Sequence, residues 1–507
     1  MINPVWSSQQ ASQTFNSRRR TVEPIEEAPL SGYEEETPIL TYGMRDYKRK
    51  GSMAAGSTVI NLNFPSTFQV GDHVIVEIGG EVGKGLRGTD GVGGTRIADG
   101  GFGYLGEENM PLAHIGEIVS VNSAGTELTL DTPCVNATTN ASVYFDNFFI
   151  LNDLFNDNTD PNFVITFPEG DFAIATTVFF DSKVNWIIQG AGKRRTIFRT
   201  PRGRGGGGFR PDISNGLIFR DFGIIGNHGL DGFDQAFLGF GIFCNTCDNV
   251  IISNLFVQDV SQKAAWLGAS SNNGLIENCE YYATTPPTTY LAQWFIGTSD
   301  STNNVINNCV IDSAYLQPGF EMFRCSNIVF NECYGRNAIY SNNSSGDFQF
   351  NDCSILVTPL SQYPDGTNLY FHENNPAMNI NDNIQPPDPS IVNGGSINNF
   401  QAEIQGAFNS TNDMLIGIVV NVNNINITIN DCVINYTMDW TSPGTNDGPI
   451  GINSTALNTI VNNCTVTRSV NPVGNFGNID LTGAGSQVNN CTANRIDCDL
   501  PNCTLTP

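Results

Sequence analysis

Residues 303–309 read NNVINNC, and the same phrase, N-x-x-(I/V/F)-x-(N/D/E)-C, returns down the second half of the chain. It is NGLIENC at 273–279, NIVFNEC at 327–333, DFQFNDC at 347–353, NITINDC at 426–432, NTIVNNC at 458–464 and, with Gly leading, GSQVNNC at 485–491. Weaker copies place Leu255, Phe222 and Ala191 in the cysteine slot, and SIVNGG at 390–395 places Gly395 there. The slot therefore recurs at 191, 222, 255, 279, 309, 333, 353, 395, 432, 464 and 491, at intervals of 20 to 42 residues. Repeats of that period are the signature of stacked coils with fixed strands and variable loops.

The residue types say how each coil is built. Strand alternation turns the I/V/F position inward, and the cysteine after the bend also faces the core. The Asn between them suits a sharp bend, because among residues with a side chain Asn best tolerates the left-handed backbone. Stacked at about 4.8 Å, such amides can hydrogen-bond from coil to coil as a ladder. Cysteine in this slot behaves as a small buried hydrophobe. Zinc is the rival reading of the cysteines, but C-x2-C spacing occurs only at Cys244 and Cys247. A disulfide network is not required by the pattern. The expectation is an all-β chain whose main body is a parallel β-helix of about eleven coils.

Composition agrees. Charged residues are only 15% of the chain, and Asn, Gly, Ser and Thr take their place, which favours many short strands and turns. A net charge of −26 argues against nucleic acid, whose phosphates need a basic footprint. No run of apolar residues is long enough to span a bilayer, so membrane insertion is not expected. The first 20 residues lack an apolar signal segment, so synthesis in a cytosol without secretion is expected. No cofactor or metal site is expected.

Three segments differ in character. Residues 1–44 are polar, with Arg18-Arg19-Arg20 followed by an acidic run, and read as an arm that orders against a partner. Residues 45–150 carry short alternating stretches between Gly, Pro and Ser, a small β-rich domain, with the glycine-rich 79–103 as a surface loop rather than a phosphate loop. Residues 151–507 hold the β-helix, its first strands near Phe163. A basic cluster, Lys193 to Arg195 with Arg202, Arg204 and Arg210, stands out in this acidic chain and reads as a solvated loop, with a local anion site as the alternative.

The run PEGDFAI (168–174) followed by NWIIQGAGKRRTIF (185–198) resembles the opening coils of the pectate-lyase-like, right-handed β-helix superfamily, and the Asn-Cys phrases resemble its later coils. The order of parts (polar arm, small β domain, β-helix) resembles that of bacteriophage tailspikes and receptor-binding proteins. That resemblance implies a homotrimer in the virion tail, mounted through the N-terminal arm on phage tail or adaptor proteins. It also implies recognition of a bacterial cell-surface polysaccharide, which some such proteins also depolymerise as hydrolases or lyases. The chain stops at Pro507, just after the last coil, with no evident terminal domain to lock such a trimer. A non-catalytic structural or adhesive fibre and a free-standing polysaccharide lyase are the alternatives, since this scaffold hosts many functions.

Sugar sites need aromatic faces for C–H surfaces and carboxylates or amides for hydroxyls. With Cys279 and Cys309 inward, Glu280, Tyr282 and Asp312 point outward, and Glu280 and Asp312 become diagonal neighbours at a spacing suited to a catalytic pair. Glu321 and Arg324 follow one coil later and could supply a base beside a cation. Trp294 and the loop residues Tyr370, Phe371 and His372, in the longest inter-coil interval, are the candidate substrate-binding groups. An outward acid is more commonly a solvated surface group, and no motif fixes a mechanism.

Overall fold

A computed structural model gives the architecture. The chain divides into two units, residues 1–36 and 37–507. The structure describes residues 43–77, 95–96, 102–103, 113–202, 207–226, 240–260, 263–284, 295–343, 346–358, 378–381, 393–408, 416–420, 425–440, 450–468, 478–493, 495–498 and 504–506. Residues 1–42 of the expected N-terminal arm, Trp294, Tyr370, Phe371 and His372 lie outside these.

Six antiparallel strands close a small barrel in the order Lys48–Met53, Val59–Leu62, Glu127–Leu130, His114–Val121, His73–Val76, Thr138–Phe145. Its inward side chains, among them Ile60, Val74, Ile118, Leu128 and Val143, form a core of their own. A helix, Phe148–Asp157, follows. It places Phe148, Leu151 and Phe155 in the larger core, against Phe180, Trp186 and Phe209, and so covers the end of the next domain. The sequence reading missed this helix, although Phe148, Leu151 and Phe155 carry the three-and-four spacing of a buried helical stripe. The side chain of Asn147 is fully buried and ties barrel to helix end: it accepts from Arg45 N at 2.8 Å and donates to Arg45 O and Ala173 O at 3.1 Å.

From Val164 onward the chain is a right-handed parallel β-helix with three faces. Face A, among the described residues, is a sheet of 13 short strands, from Val164–Thr166 to Thr504–Thr506. Face B runs through Gly170–Ala173, Thr196–Arg199, Gly223–Ile225, Phe256–Gln258 and Glu280–Ala283. Face C runs through Val178–Asp181, Phe209–Asp212, Ile242–Asn245, Ala265–Gly268 and Ile296–Ser299. The long strand Val310–Phe323 serves both B and C. Rung stacks on rung in parallel register, for example Glu280↔Val310 and Tyr282↔Asp312.

The repeated phrase is the whole of one face A strand with its two bends. In NNVINNC, Asn303 (φ 59°) and Asn308 (φ 48°) are both left-handed, Ile306 is fully buried between them, and Cys309 turns inward onto face B. The same pair of bends recurs at Asn273 and Asn278, Asn327 and Glu332, Asp347 and Asp352, and Asn458 and Asn463. The expected amide ladders are present. Asn308 Nδ2 donates to Asn278 Oδ1 at 2.7 Å, Asn327 to Asn303 at 2.8 Å and Asn463 to Asp431 at 3.1 Å. A further row, Asn351, Asn398, Asn430, Asn462 and Asn489, bonds in the same way along the sheet. Among the described residues eleven cysteines are free thiols, and Cys309 Sγ bonds the carbonyls of Asn307 and Ile276.

Two markers need correction. Gly395 lies inside the strand Asn393–Asn398 opposite Phe348, and the bends are Gly394 (φ 81°) and Asn399 (φ 50°). Buried Phe400 therefore takes the cysteine slot there; the NGG triplet resembles the end of the phrase but is its beginning. Ala191 is exposed rather than inward. Face A also has two more strands than the eleven markers, because one precedes the first marker and one follows the last.

The bends supply a first prediction. Asn308→Ala forces an alanine into the left-handed region and removes one ladder bond, whereas Asn308→Gly removes only the bond. The alanine variant is expected to be the less stable by about 1–2 kcal/mol, read from urea-unfolding midpoints.

Candidate functional site

Loop length is not spread evenly around the three corners. From C to A the connections run about four to six residues, with 382–392 as the exception, and from A to B they are two or three residues, with the six-residue turn 190–195 as the exception. From B to C they vary widely: 174–177, 259–264, 284–295 and 358–377. The long interval holding Tyr370, Phe371 and His372 therefore springs from the B–C corner, rooted in Ser354–Val357 on B and Met378–Asn381 on C. Faces B and C flank the loops that can shape a site.

On face B, alternation sends Tyr281 and Ile311 into the core and leaves Glu280, Tyr282 and Asp312 outward, as expected. Register places Glu280 beside Val310 and Tyr282 beside Asp312, so the two acids are diagonal neighbours on adjacent strands. Such a diagonal spans roughly 7–8 Å between Cα atoms.

Sequence reading missed what holds these acids. The turn 190–195 folds over face B, so that Lys193 Nζ donates to Glu280 Oε1 at 2.6 Å and Arg194 Nη2 to Glu280 Oε2 at 3.1 Å. The Arg194 guanidinium lies 4.1 Å from the ring centroid of Phe256, which in turn packs on Tyr282 at 5.5 Å. Glu280 and Tyr282 are outward in register yet only 9% and 6% exposed, because this turn covers them. The basic cluster is thus largely consumed by acids of the same chain: Lys193 and Arg194 by Glu280, Arg195 by Glu169, Arg210 by Asp212. That weakens the anion-site alternative.

Asp312 has a separate cation. Arg336, its neighbour on the next rung, grips it through Nε and Nη2. Burial nevertheless raises the Asp312 carboxyl above its ordinary value, against the pull of Arg336. Burial and the nearby Glu280 charge push the Tyr282 phenol well up. Gln258, the rung neighbour of Tyr282, donates to Asp259 Oδ2 at 3.0 Å, and among the described residues nothing donates to its buried Oε1. The outward column Gln258, Tyr282, Asp312, Arg336 thus mixes hydrogen-bonding and aromatic groups along the axis.

Glu321 and Arg324 do not join each other. Glu321 sits on face C, opposite Gly297, and is almost wholly buried. Its charge acts on Lys263, whose ammonium lies 3.3 Å from the ring centroid of Trp266. Burial pulls that ammonium down to about 7 despite the carboxylate. Gly297 makes the arrangement fit, since a Cβ there would lie 2.9 Å from Trp266 Cζ3 and 2.0 Å from Glu321 O. Arg324 is a left-handed corner residue (φ 51°) paired with Asp300 at 2.7 Å, half exposed and turned to the C–A corner. Among the described residues no cluster of three or more metal-ligating side chains occurs.

Comparison with known proteins returned no matching family model and no matching curated protein. Solved structures are similar in outline. One is the catalytic domain of a GH87 alpha-1,3-glucanase in complex with nigerose, at 16% identity over 90% of this chain and 91% of that one, TM-score 0.38. A second is the catalytic unit of the GH87 alpha-1,3-glucanase from Streptomyces thermodiastaticus strain HF3-3, at 11% identity over 90% and 89%, TM-score 0.38. A third is the tailspike protein gp49 from Pseudomonas phage LKA1, at 13% identity over 87% of this chain and 66% of that one, TM-score 0.42. Identities this low transfer no residue's role.

Proposed function

We propose that the chain recognises a bacterial cell-surface polysaccharide on face B and hydrolyses its glycosidic bonds there. The observation that supports this most directly is the diagonal pair Glu280 and Asp312, of which one is buried enough to hold its proton more tightly than an ordinary carboxyl. Hydrolysis needs that asymmetry: one acid to protonate the leaving oxygen, one carboxylate to act on water or on the sugar. Asp312 takes the first role. Glu280, oriented by Lys193 and Arg194, takes the second. Tyr282, opposite Asp312 in register, and loop residues Trp294, Tyr370, Phe371 and His372 are proposed to contact the polymer. In this reading residues 1–44 dock on phage tail proteins and the working assembly is a homotrimer in the virion.

The test is incubation of purified protein with capsular and lipopolysaccharide preparations from a panel of bacteria, scoring new reducing ends. Release from at least one polymer supports the reading; binding without release favours the adhesive fibre, and neither binding nor release overturns the reading. A second reading, elimination, requires Lys193, Arg194 and Arg336 to exchange the acids they now hold for a uronate carboxylate. It predicts ultraviolet-absorbing unsaturated ends instead of saturated ones.

The acid assignment also predicts a pH response. A general acid works only while protonated, so activity falls as pH rises through the Asp312 value, and burial sets that limb higher than an ordinary aspartate would. Arg336→Met removes the cation that holds this value down. The falling limb is expected to move to higher pH in that variant, measured as kcat/KM against pH. A limb that stays put removes Asp312 from the role.

A further inference from the structure

Face C carries a row of planar groups on its outside that the face B chemistry does not use. Parallel register stacks Phe179 under Arg210, and Arg210 under Phe243, on three consecutive rungs at the N-terminal end of the β-helix. All three face outward, since their neighbours Phe180, Phe209, Ile242 and Cys244 fill the core. The Arg210 guanidinium lies 5.5 Å from the Phe179 centroid and 5.2 Å from that of Phe243. Two residues along each strand, a second outward column holds Asp181, Asp212 and Asn245 in the same register. Asp212 fixes Arg210, its Oδ1 accepting from Nε at 3.3 Å.

The glycine on the next rung keeps this floor low. A Cβ at Gly268 would come within 2.7 Å of Phe243 Cε2, so that ring lies down along the sheet rather than standing away from it. The three groups remain half-buried, with their stems in the sheet and surface still open. Phe240, 5.0 Å from Phe243, walls one side. Flat π surfaces at the rung repeat of about 4.8 Å, bordered by carboxylates and an amide, match a pyranose chain. Ring C–H faces rest on aromatic and guanidinium planes, and sugar hydroxyls reach Asp181, Asp212 and Asn245.

We infer that Phe179, Arg210 and Phe243, with Asp181, Asp212 and Asn245, form a second, non-catalytic binding strip for a neutral glycan chain on face C. Charge selects neutrality. Two carboxylates against one guanidinium, in a chain of net charge −26, repel a polyanion. The strip lies on a different face from Glu280 and Asp312 and nearer the N-terminus, so it would tether polymer rather than cut it. This rests on the polysaccharide reading above for the class of ligand, but not on catalysis.

Affinity electrophoresis of the full chain in gels holding dextran, laminarin, galactomannan or the polyanion alginate tests it. Retardation by at least one neutral polymer and none by alginate is expected. The double variant Phe179→Ala with Phe243→Ala should weaken retardation about tenfold. Asp181→Asn, an exposed change that leaves the fold alone, should weaken it measurably. Circular dichroism and unfolding midpoints establish that the double variant is folded; if it is not, Asp181→Asn decides alone. Retardation by alginate alone, none by any neutral polymer, or retardation untouched by these face C variants overturns the inference. Loss of retardation in the face C variants with no polymer ever cut sustains the strip and removes the catalytic reading. Cutting abolished by Asp312→Asn with retardation indifferent to face C does the reverse.

Discussion

Asp312→Asn protein is expected to bind its polysaccharide as the parent does and to release reducing ends about 10²- to 10⁴-fold more slowly. The amide keeps the size and most hydrogen bonds of the carboxyl but cannot give a proton to a leaving oxygen. Glu280→Gln is expected to lose a similar factor for the complementary reason, with one difference. Its amide cannot accept from both Lys193 and Arg194, so the turn 190–195 that covers face B loses part of its anchor. Single-turnover rates on one polymer preparation, compared at the pH optimum of the parent, check both. If either variant keeps full cleavage rate, the two-carboxylate scheme is wrong.

The second large effect concerns stability. Below about pH 7, where Lys263 carries its charge, Lys263→Met leaves Glu321 buried without the cation whose charge acts on it, and a loss of roughly 3–5 kcal/mol is expected. Adding Glu321→Gln removes the stranded charge, and the double variant should recover most of that loss. The same pair predicts a pH dependence whose sign is fixed. Lys263 gives up its proton near 7 in the folded chain but keeps it to its ordinary value of 10.5 when unfolded. Between those values unfolding takes up a proton, so this group makes stability rise with pH across that window and contributes no slope below it. The parent's urea midpoints relative to those of the double variant should rise from neutral to alkaline pH, a difference that cancels the opposite slope of buried thiols such as Cys244, Cys279 and Cys333. A flat difference would show that Lys263 is not held near neutrality.

Face A was the most legible part of the molecule, because its chemistry is local. Asn303, Ile306, Asn308 and Cys309 each do within seven residues what the phrase implies, and neighbouring rungs repeat it. Where the local signal was ambiguous it misled: the glycines of NGG can bend or extend, and only pairing with Phe348 shows Gly394 to be the bend and Phe400 the inward residue. The outward direction of Glu280 and Asp312 followed from alternation alone. Their partners did not, since Lys193 and Arg194 lie 87 and 86 positions away in sequence and meet Glu280 only because parallel rungs stack between them. Glu321 and Arg324 looked like neighbours three residues apart. A strand end and a left-handed corner send them to different surroundings, and the true partner, Lys263, comes from a loop two rungs earlier. Long-range register, not residue type, carried that information.

The most direct test of the central claim is a structure of Asp312→Asn protein with an oligosaccharide from a susceptible surface polymer. The expected result is a glycan lying across the rungs of face B over Tyr282, with a glycosidic oxygen at the side-chain amide of the substituted position 312 and the Glu280 carboxylate near the same sugar. Glycan seated elsewhere, with Glu280 and position 312 both out of contact, would contradict it.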